Sequence, residues 1–594
     1  MKLFFKYFLF IFFLVAFFSK NQLYAGLGIE TWGGGGIKRD IEVNEIEDVN
    51  TEDKEVDSEE NKNIKSMELK KIDPSTIGIL HDTEGGLGYK MWEGSKRDFV
   101  EKYLKLLPIN IKSEIIIELT KRLLLSSADL PLGKGKEDLI LIRINKLVEL
   151  GDLENASLLI NSLKFDNKNQ DLLKKETEIN LSLNNFDLVC SDIDERTKEY
   201  QDDLYWKKIQ IFCQILNEEI NKANLSLSLI KEETKFNDND FLNLIESLIY
   251  KEEIESSQFS NLNLLNLAMT RIGKIKLNEG LYFKNNPLFY TMLYKMPNVP
   301  IETRIETLEK SQKLINLSAE VVEEIYNSYQ VTDEEMNFSI DDQTVYLGKL
   351  TQAILYQRAI REKNEEVKAK IIKKAINLAL SNGNYPLIVK LNIETILEIK
   401  PSKKLLWFAS TACKALFYTK KLEEAYAWYE ILEKMKFEDQ NSFKDFIDLW
   451  PVTEIYKIKD NNYKNIDKLN VSQDEILDFI NKLQKENKKI EFNTLGLYFL
   501  ENYGIEINPR IWLSVIDNDK DNIKYFPDAT MLSLLDNATK NNRVAETILL
   551  ILIAIDERNL NDFSPFFLQK IIKSLDRIGL GDKAKDLVIE TLIF

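Results

Sequence analysis

The stretch Leu147–Leu163, LVELGDLENASLLINSL, decides how the chain is read. Ile140, Ile144, Leu147 and Val148 line one helical face that stops at Gly151. Leu153, Ala156, Ile160 and Leu163 line a second. The spacing predicts two short antiparallel helices with apolar sides turned towards each other. LFYTKKLEEAYAWYEIL from Leu416 and LDRIGLGDKAKDLVIETL from Leu575 repeat the pattern. Each has a leucine four residues before the turn, then an alanine (Ala156, Ala425, Ala584), then an apolar face. Looser copies start at Leu181, Leu378 and Ala538. A small residue at the alanine position lets the two helices of a hairpin approach closely.

Hairpins that cannot bury their faces alone stack on their neighbours. The expected fold class is therefore all-α, an α-solenoid of stacked antiparallel helix hairpins. The pattern resembles degenerate tetratricopeptide-like repeats over about half the chain, although no single copy keeps the full tryptophan, glycine, tyrosine and proline signature. The resemblance implies a superhelix whose concave groove holds a partner. A polar break at Tyr329–Thr344 separates a first helical half, 137–328, from a second, 345–594. An irregular stretch is expected from Trp450 to Val471.

Residues 1–25 read as an export signal. Lys2 and Lys6 precede an apolar run from Tyr7 to Phe18, and Ala25 offers a cleavage site before Gly26. The alternative is a retained anchor, because adding Leu3–Phe5 brings the run close to membrane length. No cysteine follows the cut to carry a lipid. The longest later apolar run, Ile548–Ile555, lies between Glu546 and Asp556 and reads as a buried helix, so no membrane span is expected after signal cleavage. Residues 26–73 combine four consecutive glycines with an acidic, apolar-poor stretch, which predicts a disordered linker. The net charge of −17 opposes binding to phosphate backbones, so no nucleic-acid partner is expected.

Residues 74–136 read as an N-terminal helical cap with a glycine-rich turn. HDTEGGLGYKMWEGSKRDF, His81–Phe99, holds the only histidine of the chain together with Gly85, Gly86 and Gly88. Ser95 is placed to cap a helix with Asp98 as a short capping-box partner. Val100, Leu104 and Leu107 form that helix's buried face before Pro108 ends it. Ser113 is placed to cap the next helix, and Trp92 to cover the end of the first hairpin. GGLGYKMWEGSKRDFVEKYLKLLP, followed by TKRLLLSSADLPLGKG, resembles exported helical-repeat proteins of Gram-negative bacteria. That resemblance implies a periplasmic location and a helical fold, and it carries no activity.

A single histidine rules out HExxH and multi-histidine zinc sites within one chain, and no G-x-S-x-G elbow is present. His81 itself reads as a surface or cap residue. Cys190 and Cys213 fall on neighbouring helices and either pair in an oxidising compartment or lie as two buried thiols. DNDKDNIKYFPD, Asp517–Asp528, places Asp517, Asp519, Asp521 and Asp528 at positions 1, 3, 5 and 12 of a calcium-loop pattern. Asn522 stands where that loop needs glycine, which makes it a weak metal candidate. Neither Gly85–Gly88 nor PLGKGKEDL from Pro131 has the spacing of a nucleotide loop, so no cofactor is expected. Trp407-Phe408, Trp428-Tyr429 and Phe566-Phe567 read as core. The functional expectation is a non-enzymatic periplasmic scaffold or regulator that binds a protein or peptide in the cell envelope. Two alternatives stand beside it: an envelope enzyme built like soluble lytic transglycosylases, and a helical carrier of lipid or peptide. The segment from Glu506 onwards lacks the catalytic run of the former.

Overall fold

The computed structural model describes residues 73–594 except 164–167, 234–235, 252–253, 255–262, 278–285, 313–316, 341–347, 437–439, 458–472, 486–493, 503 and 519–523. The expected signal, 1–25, and all but the last residue of the expected linker, 26–73, lie outside the described residues. Among the described residues the architecture is all-helical, with three isolated parallel bridges in place of any strand.

One turn geometry recurs. Helix Leu139–Glu149 runs into Gly151, at φ +76°, and the next helix starts at Leu153. The N–H of Asp152 bonds to the carbonyl of Leu147 and that of Gly151 to Val148, which together make a Schellman closure. The same pair of bonds surrounds Asn184, Glu218, Gly383, Lys420, Asn542 and Gly579, all with positive φ. At each of these the residue after the turn donates to a carbonyl five positions earlier. The leucines seen before the turns (Leu147, Leu416, Leu575) supply that carbonyl. Their place in the sequence pattern is thus fixed by the hydrogen bond as well as by the core.

The alanine position also has a structural identity. Ala156, Ala223, Ala425 and Ala584 are each the fourth residue of the second helix and are fully buried. The backbone N–H of each donates to the carbonyl of the residue just after the turn. First helices of successive hairpins pack on one another, as Leu139–Glu149 does on Gln170–Leu183 and Leu204–Leu216 on Asn239–Tyr250. Cys190, at the end of Phe186–Cys190, is bonded to Cys213 of Leu204–Leu216, so a covalent link spans two consecutive hairpins.

The structure differs from the expectations at the irregular stretch and at the aromatic pairs. Residues 71–594 form one unit, and the described part of the polar segment is packed. Thr332 makes a capping box with Glu335, and the Phe338 ring lies 4.4 Å from the Arg358 guanidinium. Helix Gln440–Lys457 continues through Pro451 where irregular chain was expected; Gly496 of Thr494–Asn502 lies against the proline ring. Two of the three aromatic pairs divide: Phe408 and Phe567 are buried, whereas Trp407 and Phe566 are 36% and 57% exposed. Adjacent helical residues point about 100° apart, so both members of such a pair seldom reach the core. Trp428 and Tyr429 are the exception, because both sides of their helix are covered.

Two substitutions test the turn. Glu218 is exposed and holds a left-handed conformation that costs a non-glycine residue about 1 kcal/mol. Glu218→Gly is therefore expected to raise the denaturation midpoint, by roughly 0.5–1 kcal/mol. Gly151→Ala is expected to lower it, by about 2 kcal/mol or more. Beyond the strained φ, a Cβ there falls 2.6 Å from Thr291 Oγ1 and 3.0 Å from the Pro287 carbonyl. Urea denaturation followed by circular dichroism reads both.

Candidate functional site

Several buried polar groups lie in the N-terminal module and where it meets the last helices. Arg143 begins this arrangement. Its guanidinium is fully buried and donates to four backbone carbonyls: Nε to Leu124 at 2.7 Å, Nη1 to Ser75 and Ile77 at 3.2 and 2.8 Å, and Nη2 to Ser126 at 3.0 Å. Leu124 and Ser126 lie at the C-terminal end of helix Glu114–Leu125, where the helix dipole favours a cation. Burial lowers the guanidinium pKa to about 10, which leaves it charged at neutral pH. One side chain thus ties the incoming chain at Ser75–Ile77 to that helix.

The glycine-rich segment then crosses the module. Leu80 pairs with Ser126, and the Leu87 N–H donates to Ser126 Oγ at 3.0 Å. His81 is exposed, and its backbone carbonyl accepts from Glu84 and Gly86. Gly85 and Gly88 adopt positive φ, near +90°, while a Cβ at Gly86 would meet the His81 carbonyl at 2.9 Å. Trp92 is buried. The segment does not lie at a free end. The Met91 carbonyl accepts from Ala545 N–H at 3.0 Å, in the first turn of helix Val544–Ile555, and Gly94 lies against Arg543.

The capping assignment for Ser95 is corrected. Helix Arg97–Lys105 has Lys96 as its cap residue with no side-chain cap bond. The backbone of Ser95–Arg97 is engaged by Leu132: Ser95 O accepts from its N–H and Arg97 N–H donates to its carbonyl. This pairing turns the Ser95 hydroxyl inward, where it is fully buried and without a hydrogen-bond partner. Asp98 accepts from the adjacent Phe99 N–H and closes no capping box. Gly135, in the segment from Pro131, lies against a buried ion pair, Arg97–Glu101 at 2.6 Å. Desolvation raises the Glu101 carboxyl pKa, but the bonds from Arg97 and the Lys136 N–H outweigh it and hold the group below its ordinary range. Ser113 does cap helix Glu114–Leu125, accepting from Ile116 N–H.

The centre of the seam is Glu590, on helix Gly581–Ile593. Its carboxylate accepts from Ser113 Oγ at 3.1 Å and from the Glu114 and Ile115 N–H groups at 3.2 Å each. It therefore closes the N-terminus of a helix more than 470 residues away in sequence. Burial, then the nearby Glu114 carboxylate, push its pKa up to about 8. Glu114 in turn receives Lys390 Nζ at 2.8 and 3.0 Å and the Tyr418 hydroxyl. The Phe594 ring packs at a tilt against Tyr385 and Tyr418, at 4.6 and 5.3 Å between centroids. Burial raises the pKa of both tyrosines and keeps them neutral. Around this centre Lys583 pairs with Glu118 at 2.7 Å, and Asn110 with Glu557 at 3.0 Å.

Sequence reading placed none of Arg143, Glu114, Lys390, Tyr418 and Glu590 in a site. Partners so far apart leave no spacing signal. One clue was available: a lone glutamate inside the apolar run LVIETLIF.

Of the weak metal candidates, Asp519 and Asp521 lie outside the described residues, as does the side chain of Asp517. Asp528 spends its carboxylate on capping helix Ala529–Lys540 through the Met531 N–H at 2.9 Å. No cluster of three or more metal-ligating side chains occurs among the described residues, and no described helix is long and apolar enough to cross a membrane.

Arg143→Met keeps the volume and abandons four carbonyls, and is expected to cost on the order of 3 kcal/mol. Hydrogen exchange should show the loss first at Ser75–Leu80 and at the end of helix Glu114–Leu125. Removing the disulfide by Cys190→Ser/Cys213→Ser opens a 23-residue separation, with an expected cost of about 3 kcal/mol local to those two hairpins. No known family model, no curated protein and no solved structure matches this chain.

Proposed function

We propose that the chain is a helical-repeat scaffold of the cell envelope that binds a protein or peptide partner and carries out no chemistry of its own. The observation that carries this reading is the recurrence of one Schellman-closed hairpin along the described chain. Repeated hairpins of this kind generate an α-solenoid in which each unit contacts its neighbours, and such arrays present extended binding surfaces. The buried ionisable groups are spent on holding helices together, with Glu590 only 3% exposed.

The outer helices supply a surface that suits a partner. Leu158 and Leu225 are the sixth residues of their helices, Leu153–Asn161 and Ile220–Lys231, and are 51% and 64% exposed. Leu188 and Leu229 are exposed on the same set of second helices. Leu158 and Leu225 repeat one exposed apolar position in two hairpins and, with Leu188 and Leu229 beside them, offer a contact surface for an extended or helical partner. An oxidising compartment accords with the Cys190–Cys213 bond, as does the apolar N-terminal run with export.

Photo-crosslinking from positions 158 and 225 in cells is expected to trap a defined envelope protein. Leu158→Glu/Leu225→Glu should abolish the crosslink while leaving the circular dichroism spectrum unchanged. A purified monomer that cleaves murein, or one that leaves the envelope with bound lipid, overturns the reading.

A further inference from the structure

We infer that the seam centred on Glu590 is a protonation-dependent clasp, closed by acid and loosened towards alkaline pH, that governs whether the last helix stays docked on the N-terminal module. The inference is independent of the binding reading above. It rests first on geometry. Glu590 is the direct tie between helix Gly581–Ile593 and the N-terminus of helix Glu114–Leu125, and it makes three hydrogen bonds there while shut away from solvent.

The charged surroundings do not neutralise it. Glu114, from the facing helix, is the near charge and has the same sign as ionised Glu590; its own cation, Lys390, arrives from helix Tyr385–Glu398. Tyr385 and Tyr418 face the pair as neutral phenols. The other charges of the last helix are directed elsewhere, Lys583 to Glu118 and Asp586 to Lys420. On the side of helix Gln440–Lys457, Lys585 lies over the Tyr456 ring. Helix Thr494–Asn502 meets the last helix through Gly496 at Leu592. Helix Pro565–Arg577 sends Lys570 to Asp536 and Arg577 to the Lys540 carbonyl. Among the described residues no cation pairs with Glu590, so burial and the Glu114 charge, which favour the neutral carboxyl, outweigh the three donors that favour the ionised one.

The sign follows from linkage. Docked, Glu590 keeps its proton up to about pH 8; exposed, it loses it near the ordinary 4.5. The docked state therefore binds more protons between these values. Its stability is complete below about 4.5, falls as pH rises, and levels off above about 8. Opening of the seam steepens by up to about tenfold per pH unit within that window.

Hydrogen exchange on the full chain between pH 5 and 9, corrected for intrinsic rates, tests this. Helices Glu114–Leu125 and Gly581–Ile593 are expected to lose protection together as pH rises to 8 and to plateau beyond it. The remote helix Leu204–Leu216 serves as reference. Glu590→Gln keeps the acceptor without the titration and should flatten the seam profile. Glu114→Gln removes the adjacent like charge and should move the plateau to lower pH, which decides the matter if the first variant does not fold. A wild-type seam that tracks the reference helix at every pH, or a Glu590→Gln or Glu114→Gln profile identical to wild type, overturns the clasp.

Discussion

The Schellman closure at the hairpin turns is the constraint on which the rest of the structure depends. A helix that ends with its last carbonyls satisfied by the turn can be followed within two residues by another helix. The second helix then packs back on the first, as Leu406–Tyr418 and Leu422–Met435 do. The apolar faces of the two must then meet at the level of the fourth residue of the second helix, where Ala156, Ala223, Ala425 and Ala584 lie. Hairpin geometry thus precedes hairpin stacking, and stacking buries what one hairpin leaves exposed. Non-glycine residues at Asn184, Glu218, Lys420 and Asn542 accept left-handed backbone strain to keep this geometry, which shows how strongly the closure is demanded.

A stack of hairpins ordinarily has two ends. Here the N-terminal module is placed against the last helices instead. Arg143 braces the module internally, the Met91 carbonyl receives the first turn of helix Val544–Ile555, and Glu590 receives the first turn of helix Glu114–Leu125. These last two ties use the same chemistry: an oxygen acceptor supplied to orphan N–H groups at a helix start. The difference is that a carbonyl never titrates and a carboxylate does. That difference makes one tie permanent and the other responsive to protons.

Much of the local structure could be read directly from residue order. Ser113 as a cap, Val100 and Leu104 as a buried face, and the boundaries of the hairpins at Gly151, Lys420 and Gly579 all follow from helical period and turn chemistry. Ser95 misled because a serine before a helix is a good cap only if its backbone is free to adopt the cap geometry. Leu132, 37 positions on, claims that backbone. The aromatic doublets misled for a related reason, since composition shows that a ring is present but not which side of the helix is covered.

The sequence by itself determined the all-helical class, the hairpin unit and the turns that close it, because these rest on contacts within about six residues. It left open which hairpins meet at a distance. The Glu590–Glu114–Lys390–Tyr418 cluster joins four helices from three remote parts of the chain. No local period encodes such a meeting. Only tertiary packing brings a buried carboxylate to a helix start, and the desolvation created by that packing decides its charge.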